Sequence, residues 1–201
     1  MTAAVNDSWT RIENWLAEHA PATHAALAPP ADPADIAATE RVVGGPLPRP
    51  LVASLLRHDG VLDGRSELFP GSYVPRGARE IAGDWRHMSP YFDPHLSKEE
   101  EARAEDDLLT IGSSFFLYGH PRLIPLGREV GGGGLVLDHR GGIDRGRVHR
   151  VEPVEGVRRV AHEAWTSLPL LLEGIAGCLE AGRPLDGHAP AVDDAGRLRW
   201  E

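Results

Sequence analysis

With 201 residues, 41% of them hydrophobic, the chain is long enough to bury a sizeable core without disulfide or metal staples. Thirty acidic residues outnumber 21 basic ones for a formal net charge of −9, which weighs against binding a nucleic-acid backbone. No apolar run approaches the roughly 20 residues of a membrane span, the first residues lack a secretory pattern, and Cys178 has no second cysteine to pair with, so a cytoplasmic protein that does not engage membranes is expected.

Trp9, Ile12 and Leu16 recur at helical spacing behind Ser8, read as an N-cap, and predict a helix that ends before Pro21. Residues 20–38, rich in alanine and proline, read as a linker. Asp32, Pro33 and Asp35 open a second helix that Gly44 and Gly45 stop. A third starts near Pro48 or Pro50, carries Leu51, Leu55 and Leu56, and runs to His58-Asp59-Gly60, with Gly60 as a left-handed cap.

Leu68-Phe69 reads as a brief strand before a turn, and residues 78–87 as a helix whose Ile81 and Trp85 share a buried face. Residues 93–107 are the most polar stretch. Ser97 and Glu100 are spaced as a capping box, and seven acids stand there against Lys98 and Arg103. The period then changes. Residues 111–118, 123–126, 135–137 and 148–151 are short β-rich runs parted by glycines, as in an antiparallel meander. From 166 to 181 leucines return to helical spacing until Gly182 and Pro184, and Leu198 and Trp200 suggest a small edge strand in the tail, 186–201. The predicted core includes Leu55, Phe69, Trp85, Leu135, Leu137, Leu171 and Ile175.

Few residues suggest catalysis. His58-Asp59 and Asp138-His139 place imidazole beside carboxylate, but sequence neighbours do not face each other on a helix or a strand. His120, His139, His149 and His162 lack the spacing of a zinc site, so no metal and no cofactor is expected. Gly131 to Gly134 precede a strand rather than a helix and read as a hairpin turn, not a phosphate loop. Cys178 falls at a helical core position and reads as a buried thiol. What stands out is charge asymmetry: the acids of 93–107 contrast with six arginines against three acids in 140–159. Glu99, Glu100, Glu101, Glu105, Asp106 and Asp107 are the candidate partner-binding residues, since such charges steer and select a basic partner. The alternative is that the arginines line the wet face of a sheet.

Taken in order, these motifs resemble the SUKH superfamily of bacterial immunity proteins, related to a fungal regulator of cell-wall synthesis. The likeness rests on Ile36, Glu40, Leu47-Pro48 and His58-Asp59-Gly60, then Leu68-Phe69, Glu80-Ile81 and Trp85, then Ile124-Pro125, the glycine cluster, Leu135-Val136-Leu137-Asp138, Gly146 and Val148. It covers about residues 9–181 of what reads as a single domain, 1–201. Gly133-Gly134 stand where members often carry a polar residue, and the acidic stretch is longer than in compact members. The resemblance implies an α+β fold with one mixed, largely antiparallel sheet flanked by helices. It also implies a non-enzymatic protein that neutralises a cognate toxin, such as a nuclease. A housekeeping adaptor on the same fold, in envelope or stress regulation, and a hydrolase using carboxylates with His58 or His139 are the weaker readings.

Overall fold

The computed structural model describes residues 2–201 except Ile111, Val130 and Pro153. Helix α1 (Thr2–His19) buries Val5, Trp9, Ile12 and Leu16, one stripe of its surface. Ser8 is not a cap, because the helix begins six residues before it; the hydroxyl is buried and donates to Glu173 Oε2 at 3.1 Å. The segment 20–38 is not a linker. It holds α2 (Pro21–Ala26) and the start of α3 (Pro33–Val43), and Ala20, Ala26, Ala28 and Ala31 are buried. Alanine's small side chain lets backbones approach here: Ala28 N–H donates to Gly60 O and Ala31 N–H to Leu55 O. Helix α3 has the predicted ends, with Asp32 Oδ1 accepting from Ala34 N–H and Gly44 in the left-handed conformation.

Helix α4 (Arg49–Leu55) starts at the predicted prolines but stops before His58. Gly60 has the expected positive φ, +75°, yet does not cap a helix. It passes so close to the start of α5 (Ala78–Met88) that a Cβ there would lie 2.6 Å from Gly77 N. In the same loop Asp59 Oδ1 accepts from Ala78 N–H at 2.6 Å, while Glu80 Oε2 accepts from Gly77 N–H. Asp59 thus supplies from a distant loop the cap that α5 lacks in its own sequence. Trp85 is only half-buried and belongs to neither core cluster. The apolar face of α5 is confined to Ala78, Ile81 and Ala82, and the indole one turn on lies at its margin, donating to Pro121 O at 3.1 Å.

Helix α6 (Lys98–Thr110) carries the predicted capping box: Glu100 Oε2 accepts from Ser97 N–H, and Ser97 Oγ from Glu100 N–H. Its first residue, Lys98, is exposed and is the only lysine of the chain. Helix α7 (Leu168–Ala181) ends at a left-handed Gly182, as predicted, and Arg11 joins it to α1 through Glu173 and Glu180.

The main sheet is antiparallel throughout, in the order β1-β3-β4-β5-β6-β2. These strands are β1 (Val74–Pro75), β2 (Ser113–Ser114), β3 (Leu123–Arg128), β4 (Gly134–Asp138), β5 (Val148–Glu152) and β6 (Gly156–Arg158). The run 111–118 is a strand only at Ser113–Ser114; Phe115–Leu117 coil into a 3-10 turn, and Ile111 lies outside the described residues. The tail forms a separate hairpin, β7 (Pro190–Val192) with β8 (Leu198–Trp200), rather than an edge of the main sheet.

One face of the main sheet, with Ile124, Leu126, Leu135, Leu137 and Val148, packs into the larger core with Leu55, Phe69, Trp165, Leu171 and Ile175. The other, with Leu123, Val136, Val151 and Val157, is covered by Ala104 and Leu108 of α6. The fold is α+β, an antiparallel sheet flanked by helices. Replacement of Asp59 by alanine is expected to cost about 1 kcal/mol through the lost cap. Gly60→Ala should cost more, because it adds a backbone clash to an unfavourable φ; comparing the Tm values of the two variants checks the order.

Candidate functional site

The His-Asp-Gly motif is a structural joint. Nδ1 of His58 donates to Ala28 O and Nε2 meets Glu13 Oε1, both at 2.7 Å, and Arg57 holds the same carboxylate. Burial opposes ionisation of Glu13, but the hydrogen bonds from Arg57 and His58 outweigh it and keep the carboxyl below its ordinary range. Asp59 is turned away to cap α5. His58 and Asp59 therefore serve different partners and form no acid/base pair with each other.

The aspartate that does meet an imidazole is Asp138, and its partner is not the adjacent His139. β4 and β5 pair with Val136 opposite His149, which brings His149 Nε2 to 3.2 Å from Asp138 Oδ2 beneath α6. Arg140 closes the group: its guanidinium and backbone N–H both bind Asp138, and its Nη1 binds Glu105 of α6. Burial works against the charge on Asp138, while the bonds from His149 and Arg140 hold its carboxyl below the usual value. His149 is fully buried and Asp138 nearly so, so a substrate reaches this pair only if α6 lifts. Register alone creates the pairing. Within the sequence, the one visible signal is a histidine at an inward position of the Val148–Glu152 strand.

The six predicted partner-binding carboxylates divide. Glu99, Glu100, Glu101 and Asp106 are exposed on α6, whereas Glu105 and Asp107 are half-buried. Glu105 faces the sheet between Ala104 and Leu108 and is committed to Arg140; Asp107 has Arg103 at 3.9 Å. The arginine-rich segment is only partly stitched inward: Arg140 and Arg147 are buried and Arg150 and Arg159 half-buried, whereas Arg145 and Arg158 are exposed. Arg147 and Arg159 share the buried Asp144, Arg150 binds Asp186 and stacks over Trp165, and Arg158 binds Glu155. Part of the contrast between an acidic and a basic half is thus spent inside the molecule, and what stays exposed on the acidic side includes Glu99, Glu100, Glu101 and Asp106 of α6.

Beside α6 an open groove of about 400 Å³ runs between α5 and the β3–β4 turn, lined by His87, Tyr118, Arg128 and Gly132 to Gly134 among others. Asp84 also lines it but is held by Arg76. The glycines form the predicted turn: Glu129 N–H donates to Gly133 O, and a Cβ on Gly133 would meet Glu129 Oε2 at 2.8 Å. Among the described residues no cluster of three or more His, Cys, Asp or Glu has metal-binding geometry, and no helix is long and apolar enough to cross a membrane. Cys178 is buried, as predicted, and burial pushes its thiol pKa up. Comparison with protein-family models and with curated proteins gives no match for this chain.

Two outcomes follow from the polar group under α6. Arg140→Met strands Asp138 without its cation and is expected to cost about 3–5 kcal/mol in chemical denaturation. His120 accepts from Arg122 N–H through Nδ1, and burial together with the positive charge of Arg140 lowers its pKa from 6.5 to about 4. Between those values the unfolded chain binds more protons than the native one, so stability falls as the pH drops from about 6.5 towards 4. His120→Gln should flatten that part of the stability–pH curve.

Proposed function

We propose that the protein is a non-enzymatic binding protein of the immunity type, which docks a basic toxin through the outer face of α6 and neutralises it. The observation that carries this reading is the exposure of Glu99, Glu100, Glu101 and Asp106 on one helix, while most arginines of the 140–159 segment are paired internally. A net negative field on one helix speeds encounter with a basic surface and disfavours acidic ones. A nuclease, whose substrate channel is basic, has a surface of the required sign. The structural roles of His58, Asp59, Asp138 and His149 support a binding rather than a hydrolytic role.

The test is capture of the tagged protein's partner from its native cytoplasm at low and then high salt, followed by production of the captured protein with and without this chain. The expected result is one basic protein that is toxic alone, is neutralised by this chain and binds less at high salt. Reversal of Glu99, Glu100, Glu101 and Asp106 to lysine should weaken that binding by about tenfold or more at low salt. Binding that ignores both salt and charge reversal overturns the reading of the surface. A non-toxic resident partner favours the adaptor instead.

A further inference from the structure

Helix α6 rests on a small core of its own. Ala104 and Leu108 pack with Leu123, Val136 and Val151 in a cluster that the sheet separates from the main core of α1, α4 and α7. Departure of the helix therefore uncovers only the smaller cluster and leaves the packing of the larger one in place.

Charged and polar side chains, rather than further apolar ones, complete the seat. Arg140 reaches from Asp138 of β4 to Glu105 of α6, and His149 of β5 meets the same aspartate. His149 is fully buried, yet among the described residues its Nδ1 has no hydrogen-bond partner. The closed arrangement thus carries an unmet polar atom, a cost that solvent relieves once the helix moves off. The remaining titratable group is His120, in the turn before β3. Its ring meets Phe92, on the segment that leads into α6, edge-on with centroids 4.7 Å apart. Nδ1 of His120 accepts from Arg122 N–H, so the neutral ring carries its proton on Nε2, and a second proton has to displace that bond. Burial, then the charges of Arg140 and Arg122 against that of Asp138, set the pKa of this imidazole at about 4.

We propose that α6 is an acid-released flap, which leaves the sheet when His120 and Glu105 take up protons while the main core stays folded. With His120 neutral and Glu105 ionised, Arg140 and Arg122 are balanced by Asp138 and Glu105. After protonation Asp138 alone faces Arg140, Arg122 and an imidazolium. Opening hydrates His120 and returns it towards its ordinary 6.5, so the open state binds a proton that the closed state rejects. The flap accordingly opens more easily as the pH falls from about 6.5 towards 4. The device stands on these contacts alone and holds whatever binds the outer face of α6.

The test is amide hydrogen exchange on the full chain at pH 7 and pH 4.5, expressed as protection relative to an unstructured peptide. Amides of 104–108 in α6 are expected to lose protection about tenfold or more on acidification and to lie at least about a hundredfold below those of 171–179 in α7 at the lower pH. His120→Gln should reduce the loss in α6 to about threefold or less. Equal protection of the two helices at pH 4.5 means that α6 opens only with the whole chain and overturns the flap. Protection of α6 that ignores pH overturns its release by acid. A response to pH that survives intact in His120→Gln overturns the role of this histidine.

Discussion

The guanidinium of Arg140 is the contact on which the second layer of the fold depends. Helix α6 is among the most polar segments of the chain and offers the sheet only Ala104 and Leu108 as buried residues. Two small apolar contacts are a weak anchor for a 13-residue helix. Arg140 binds Asp138 of the sheet on one side and Glu105 of α6 on the other, and Asp138 is shared with His149 of the neighbouring strand. The buried Arg140–Asp138 ion pair is costly to desolvate and adds little net stability over an apolar core. What it contributes is position, because Arg140 reaches Asp138 and Glu105 together only where α6 lies over this end of the sheet.

The same contact sorts the acids of this helix by role. Glu105 is consumed in holding the helix to the sheet, whereas Glu99, Glu100, Glu101 and Asp106 are exposed. The exposed surface is therefore narrower than the composition of residues 93–107 suggests. It grades from carboxylates at the first turn to aromatic rings beyond the last.

Local signals were legible wherever one residue type settles the backbone: Asp32 and Gly44 bound one helix, Gly182 ends another, and the glycine run makes its turn. The core leucines followed from period alone. What depends on distant chain was not readable. Asp59 caps a helix 19 residues away, the alanines of 20–38 pack because a loop crosses them, and Trp85 lies at a margin because the buried face of its helix is confined to Ala78, Ile81 and Ala82. At the candidate site, the exposed acids could be named from sequence, but the loss of Glu105 to Arg140 needs their separation in space rather than in number. Phe115 and Phe116 read as part of a strand over 111–118, whereas they coil into a 3-10 turn that leaves both rings exposed, with Gly156 close against Phe115 Cα.

Lys98 gives α6 an unusual handle. A protease that cuts only after lysine has one target in the whole chain, and it lies in the first turn of this helix. Proteases need several residues of extended backbone, so cleavage there requires the turn to unwind. The rate of that single cut therefore reports how often the first turn, closed by the Ser97–Glu100 capping box, frays open. A partner clasping the outer face of α6 would slow the same cut, giving occupancy of the surface and fraying of the first turn one common clock.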